Sequence, residues 1–188
     1  MKKALIAFAI ASTLSTSAFA ADTYTIDARH TFPSFEVSHL GFSIQRGRFN
    51  KTSGTIMLDT AAKSGSIDIS IDATSLDTGL AELEKHMQGE EFFDTAKYPA
   101  ITFKSKSLKF DGDKLAGADG DFTLLGVTKP VHLTIDHFKC APHPMNKKAM
   151  CGANATTVIK RSEFGMTKYV PAVGDEVKIA IQVEAFRD

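Results

Sequence analysis

The sequence predicts an all-β protein, an antiparallel β-barrel in which one short helix closes one opening. Apolar and polar residues alternate along most of the chain, most clearly in residues 66–72, where isoleucines alternate with serines and aspartates. This period of two buries one face of a strand and leaves the other in water. Only residues 80–87 carry the apolar period of a helix. Many short strands joined by short connections favour a closed meander, although a two-sheet sandwich remains an alternative.

The alternating segments number roughly nine or ten, which is enough to close a barrel. They cover residues 24–28, 35–39, 44–50, 54–59, 66–72, 101–110, 122–124, 131–135, 156–164 and 177–183. The Gly-Val-Thr-Lys-Pro sequence at residues 126–130 is expected to form a turn between two of these strands.

The predicted helix places Leu80, Leu83 and Met87 on one face. Asp77 or Thr78 is expected to cap its N-terminus. A single short helix with an apolar face needs a surface to cover in a chain that is otherwise β. We therefore expect it to lie over one opening of the barrel.

The first twenty residues have the pattern of a cleavable secretory signal. Lys2 and Lys3 precede an apolar run over residues 4–14, and Ala-Phe-Ala at residues 18–20 provides a cleavage site. The run is shorter than a membrane-spanning helix requires. We expect export to the periplasm and one domain over residues 21–188.

Cys140 and Cys151 are the two cysteines of the chain. Export would place them in an oxidising compartment, where a pair of cysteines usually forms a disulfide. The residues between them are rich in turn formers, so the predicted bond staples a hairpin loop. Their spacing is not that of a C-x-x-C redox motif.

Charge and motifs give little support to nucleic-acid binding or catalysis. Without Lys2 and Lys3, 20 basic residues remain against 22 acidic ones, a balance that does not favour a nucleic-acid partner. No G-x-S-x-G, H-E-x-x-H, phosphate-loop or C-x-x-C motif occurs. His30, His39 and His86 are the histidines that a metal site would use, but satisfied or exposed histidines are commoner. We predict no metal, no cofactor and no catalytic residue.

Fourteen phenylalanines, with no tryptophan and three tyrosines, give the chain a large aromatic content with few polar groups. Barrels of about eight strands either fill their interior with side chains or hold one ligand. The composition fits both outcomes, so the residues alone leave this question open.

Several motifs, in the right order, resemble the YceI-like family. They are the H-T-x-x-x-F-x-x-x-H-x-G pattern of residues 30–41, with threonine in place of the family's serine, R-G-x-F at 46–49, His86, F-F-D at 92–94, Y-P-x-I-x-F-x-S at 98–105, G-V-T-K-P-V at 126–131 and R-x-x-F-G-M at 161–166. The resemblance spans residues 23–186. It implies a lipocalin-like barrel of about eight main strands around an elongated apolar pocket. The implied role is non-catalytic binding, carriage or storage of a polyisoprenoid or similar long-chain lipid, such as an isoprenoid quinone or its precursor.

Within that pocket, the alternation and the resemblance suggest three groups of ligand-binding residues. The expected wall is Phe35, Val37, Ile69, Ile71, Phe103, Phe122 and Ile135. The expected helical closure is Leu83, Met87 and Phe92. The expected head-group contacts are His39, Arg46 and Arg161.

Two other functions remain as alternatives. A lipid-acting enzyme in the same barrel would need a polar pair inside the pocket, for which His39, His137 and Arg161 are the inward candidates. A fully packed barrel would instead act through a protein partner. The sequence leaves open whether the protein forms a homodimer and whether it contacts a membrane transiently to exchange lipid.

Overall fold

The structure of the protein, a computed structural model, describes residues 21–188; the predicted signal at residues 1–20 lies outside this part. The strands are β1 (Asp22–Ile26), β2 (Phe32–His39), β3 (Ser43–Phe49), β4 (Thr52–Asp59), β5 (Ser64–Asp72), β6 (Leu76–Asp77), β7 (Ala100–Asp111), β8 (Lys114–Leu124), β9 (Val127–Pro142), β10 (Ala149–Lys160) and β11 (Val173–Arg187). The helix α1 spans Ala81–Met87, and 3₁₀ turns cover Ala73–Ser75 and Arg161–Phe164.

These strands form a closed antiparallel barrel of eight long strands, as predicted. The count is eight because β1 continues into β2, β3 into β4 and β5 into β6 as bent strands. The last strand, β11, pairs with β10 on one side. On its other side β11 pairs first with β2 and then with β1, which closes the barrel. The architecture is lipocalin-like.

The connections fall into two sets, one at each end of the barrel. We call the end with the connections 40–42, 78–99, 125–126 and 161–172 the mouth end. The end with the connections 60–63, 112–113 and 143–148 is called the disulfide end. The mouth end carries the two longest connections, and one of them contains α1.

The predicted strands are found with their apolar faces inward, but several of their boundaries were wrong. Two of these differences lie at the mouth end. Leu124 pairs with Val127, so the turn is only Leu125-Gly126 and the predicted turn residues 127–130 belong to β9. The strand predicted over 156–164 ends at Lys160, because the last four residues form a 3₁₀ turn.

The expected inward position of His137 was also wrong. The register of β9 against β10 shifts between Ile135 and His137. Such a bulge moves every later side chain to the opposite face. Phe138 therefore borders the barrel interior, and His137 is exposed outside it.

The helix lies at the mouth end, with Leu83 and Met87 half-buried against the interior. Leu80 was placed wrongly, since it precedes the helix and is 52% exposed. Neither Asp77 nor Thr78 is the N-cap, because that position is Leu80, which has no side-chain cap. The Thr78 N–H instead donates to Glu84 Oε1 at 2.8 Å, and the Thr78 hydroxyl accepts from the Leu80 N–H at 3.4 Å. No helix within residues 21–188 has the length and hydropathy to cross a membrane.

The predicted disulfide is confirmed. Cys140 and Cys151 lie directly opposite one another on β9 and β10, with their Cα atoms 4.1 Å apart. The bond joins the two strands beside the connection 143–148. Closing a loop of this length contributes about 2–3 kcal/mol in the chain-entropy account.

Candidate functional site

The barrel interior holds a cavity of about 510 Å³, within the usual range of ligand pockets. Inward-facing side chains such as Val37, Ile69 and Ile179 are only half-buried, because they border space instead of packed neighbours. The structure thus answers the question that composition left open. The barrel is hollow.

The cavity is elongated along the barrel axis. β11 borders it from Val173 at the mouth end to Ala185 near the disulfide, a distance of about 40 Å along a strand rising ~3.3 Å per residue. With the usual strand tilt of about 35–45°, the depth is roughly 30 Å. This shape suits a long chain better than a compact molecule.

The structure places every predicted ligand-binding residue on the wall of this cavity. They are Phe35, Val37, His39, Arg46, Ile69, Ile71, Leu83, Met87, Phe92, Phe103, Phe122, Ile135 and Arg161. That these residues contact a ligand stays a prediction. The wall also includes residues that the sequence did not suggest, among them Tyr24, Leu58 and Phe138 near the disulfide end.

Three phenylalanines form an aromatic group beneath the helix. The rings of Phe49 and Phe93 meet edge to face at 5.5 Å, and Phe35 lies 6.0 and 6.3 Å from them. Phe35 pairs with Gly47 across β2 and β3. A Cβ at Gly47 would come within 2.5 Å of the Phe35 ring. The glycine therefore gives this ring its place on the wall.

The mouth of the cavity is marked by four residues. Among the described residues that border the cavity, only Gln45, Arg46, His86 and Tyr169 are exposed, and all four lie at the mouth end. His86 and Tyr169 both contact the Phe92 ring, at 5.1 and 6.2 Å between centroids. The opening thus lies between β3, α1 and the 161–172 connection.

Two cationic groups beside the opening, Arg46 and Lys168, already have anionic partners. Arg46 Nε lies 2.9 Å from Glu36 Oε1, and Lys168, beside Tyr169, pairs with Glu91. A charged ligand group would have to compete with these carboxylates.

Arg161 is not a rim residue, and its predicted head-group role needs correction. Its side chain is 3% exposed, and burial lowers the pKa of its guanidinium while Asp175 opposes this shift. The guanidinium donates hydrogen bonds of 2.8–2.9 Å to the backbone carbonyls of Met166, Lys168, Val173 and Gly174. Arg161 thus holds the 161–172 connection in place.

Of the three polar residues considered for catalysis, His39 and Arg161 border the cavity and His137 does not. His137 lies outside the barrel, and the Arg161 donors face carbonyls. His30 does not approach the mouth histidines as a metal ligand, because its Nδ1 lies 2.9 Å from Asp27 Oδ2 at the bend between β1 and β2. Within residues 21–188 no group of three or more His, Cys, Asp and Glu side chains is arranged to hold a metal.

A sequence profile of the YceI-like domain matches residues 24–185. The chain belongs to the YceI-like family. It is 39% identical to Protein YceI of Escherichia coli O157:H7 over 189 aligned positions, which cover 98% of this chain and 97% of that one. A fold match covers 85% of this chain and 98% of Burkholderia cenocepacia BcnA, with a TM-score of 0.70 and 26% identity.

A third comparison concerns the fold alone. A domain from Saccharophagus degradans, described as polyisoprenoid-binding and implicated in plant cell wall breakdown, matches with a TM-score of 0.65. The match covers 90% of this chain and 100% of that domain at 18% identity.

Two of the YceI-like motifs, at residues 98–105 and 126–131, meet in the structure at Tyr98 and Gly126. Gly126 has a positive φ of 73°, and a Cβ there would lie 2.8 Å from the Tyr98 ring. The glycine serves both the tight turn after β8 and the close approach of this tyrosine. Neither Gly126 nor Tyr98 borders the cavity, so this contact shapes the mouth end from outside it.

Proposed function

We propose that this protein binds a long-chain apolar lipid of the polyisoprenoid class and carries or stores it in the periplasm without catalysis. The observation that carries the proposal is the elongated, hollow and mostly apolar barrel with one marked mouth. Membership of the YceI-like family and the polyisoprenoid-binding description of a protein with the same fold support it. Periplasmic location rests on the signal pattern of residues 1–20.

The tail of such a lipid would dominate affinity. Burying one methylene group contributes about 0.8 kcal/mol, and each isoprene unit brings five carbons to the wall. An exposed ion pair at the mouth contributes only about 0–1 kcal/mol. The mouth therefore selects among head groups, while the wall holds the chain.

The mouth favours an uncharged polar head group such as a quinone or an alcohol. Arg46 and Lys168 are engaged by Glu36 and Glu91, and Arg161 is bound by carbonyls. Gln45, His86, His39 and Tyr169 offer hydrogen-bond donors and acceptors. We expect a polyprenyl alcohol to bind at least as tightly as the matching diphosphate.

Of the two alternatives, the enzyme loses support from the outward position of His137 and the bound state of Arg161. The packed barrel loses support from the cavity. We propose no cofactor; the lipid is cargo. A homodimer and transient membrane contact stay predictions.

Uptake of a fluorescent polyprenyl alcohol by the lipid-free protein tests the proposal. Phe103→Asp puts a charge on the wall and should abolish uptake, whereas Arg46→Ala should leave most of it. Thr102→Asp places the same charge one residue along β7, on its outer face, and serves as the matched control. Uptake that survives Phe103→Asp, or equal loss in Arg46→Ala with unchanged circular dichroism, would contradict the proposal.

A further inference from the structure

Large apolar side chains are exposed in a group around the mouth. The group, which we call the mouth patch, consists of Leu40, Phe42, Ile44, Tyr169 and Val170. Phe42 is 91% exposed, more than any other large hydrophobic residue in the described part of the chain, and Leu40 and Tyr169 are 54% and 50% exposed. Contiguous exposed apolar side chains mark sites of interaction.

The two segments that carry the patch are joined into one surface. The N–H of Leu40, in the β2–β3 turn, donates to the carbonyl of Ala172 at 2.7 Å. His39 pairs with Val173 beside it. Tyr169 belongs both to the patch and to the rim of the opening, so the patch continues directly into the mouth.

The turn at the tip of the patch keeps an apolar residue where local preferences oppose it. Leu40 and Gly41 both have positive φ, 55° and 74°. Hairpin turns of this kind favour Asn, Asp or Gly at both positions, and a left-handed leucine costs roughly 1–2 kcal/mol. The turn thus exposes a leucine at the expense of stability, which is a property of functional sites.

We propose that the mouth patch inserts into the surface of a lipid bilayer, so that the cavity opens directly toward the acyl chains when lipid enters or leaves. The proposal rests on the proposed function, because only an apolar cargo requires this route. Side chains such as Phe42 and Leu40 would enter the boundary between head groups and acyl chains, and Tyr169 suits that boundary because its ring is apolar and its hydroxyl polar.

The extent of the patch favours a bilayer over a second copy of the chain. Its five side chains expose on the order of 400–500 Å², taking about 150–250 Å² for a whole aromatic residue. A stable protein interface buries about 800 Å² on each partner. A bilayer sets no such requirement, since a few inserted side chains bind it reversibly.

The charges beside the patch indicate which membrane would bind. Arg46 and Lys168 are paired with Glu36 and Glu91, so the surface offers little net attraction to anionic lipids. We expect binding to neutral phosphatidylcholine vesicles, with only a weak dependence on salt.

Vesicle flotation of the purified protein, with and without bound lipid, tests this inference. Phe42→Ser and Leu40→Asn should each lower the partition onto phosphatidylcholine vesicles about tenfold or more. Leu40→Asn suits the left-handed backbone, so loss of folding would not explain its effect. Met145→Ser is the matched control, because Met145 is 87% exposed at the disulfide end, and it should float like the wild type.

The outcomes separate this inference from the proposed function. Variants that still take up polyprenyl alcohol from detergent but fail to float would support both. Equal flotation of Phe42→Ser and wild type would overturn the patch while leaving lipid binding intact. If the protein takes up no lipid but its flotation still depends on the mouth patch, membrane binding by the patch would stand and the lipid-carrier function would be overturned. A dimer that Phe42→Ser dissociates, without flotation, would assign the patch to a second copy.

Discussion

The two ends of the barrel are built from the same alternating strands but differ in what closes them. At the disulfide end, Tyr24, Leu58 and Ala185 form a buried cluster with Cys151, and β1 pairs with both β4 and β11. At the mouth end, α1 and the 161–172 connection lie over the interior and leave an opening bordered by exposed residues.

This difference explains how a hollow barrel remains stable. Direct strand pairing and a covalent bond secure one end, while the other relies on hydrogen bonds from side chains to the backbone of long connections. Such connections open locally at a lower free energy than paired strands. A lipid could therefore pass through the mouth end without disturbing the disulfide end.

The largest effect is expected from removing the guanidinium that holds the mouth end. Arg161→Met would leave four carbonyls, including those of Met166 and Gly174, without their donor. Buried groups without partners are costly, so the free energy of unfolding should fall by about 3–5 kcal/mol. Urea denaturation measures this loss, and hydrogen exchange should locate it in residues 161–174. A loss below about 1 kcal/mol would show that the connection holds without Arg161.

The corresponding change at the disulfide end is the double variant Cys140→Ala, Cys151→Ala. It should lower the free energy of unfolding by about 2–3 kcal/mol but leave lipid affinity unchanged at 25 °C, because Cys151 borders the cavity and alanine keeps that part of the wall apolar. Urea denaturation and lipid titration provide the two readouts. Affinity that falls together with stability would contradict the separation of the two ends.

A smaller, pH-dependent effect on stability is expected at the bend where β1 continues into β2. Hydrogen bonds from Arg29 and His30 hold the pKa of the buried Asp27 well below its usual value. Because the folded pKa is depressed, the stabilisation is complete above the unfolded pKa of about 3.9 and is lost as pH falls through the folded value. Asp27→Asn should cost about 1–3 kcal/mol at pH 7. The difference between the urea midpoints of the two proteins should shrink progressively as the pH falls below about 3.9; a constant difference would contradict this origin.

The smallest effect is a gain in stability at the bend where β3 continues into β4. Thr52, at the start of β4, is 3% exposed, and its hydroxyl has no hydrogen-bond partner among residues 21–188. Thr52→Val removes this unpaired group and should raise the free energy of unfolding by about 1 kcal/mol. Thr31→Val is the matched control, because its hydroxyl bonds to Glu184, and it should lose stability. A loss in both variants would indicate a hidden partner for Thr52.

The strands and the two ends of the barrel differ in how much of their structure could be predicted from the sequence. Along the strands, the period of two determines the face, so wall residues such as Ile69, Phe103 and Ile135 could be identified. Positions beyond a bulge could not, because a single extra residue, as before His137, reverses the face. The hollow interior depends on how side-chain volumes fill space, which alternation does not describe.

The mouth was the least predictable region. Gln45 and Tyr169 were missed because loops and rims have no periodicity, and His86 was noticed only as a motif residue and a candidate metal ligand. Arg161 lay inward as expected, but the sequence could not show that backbone carbonyls would occupy its donors. Exposed Phe42 and Leu40 in a glycine-containing turn were a signal that could have indicated the patch.

The central claim is that the barrel carries a long-chain isoprenoid. Native mass spectrometry of the protein purified from its own periplasm without detergent, followed by organic extraction, tests it most directly. We expect one bound lipid per chain, with an uncharged head group. An empty protein that also fails to take up a labelled polyprenyl alcohol would contradict the account.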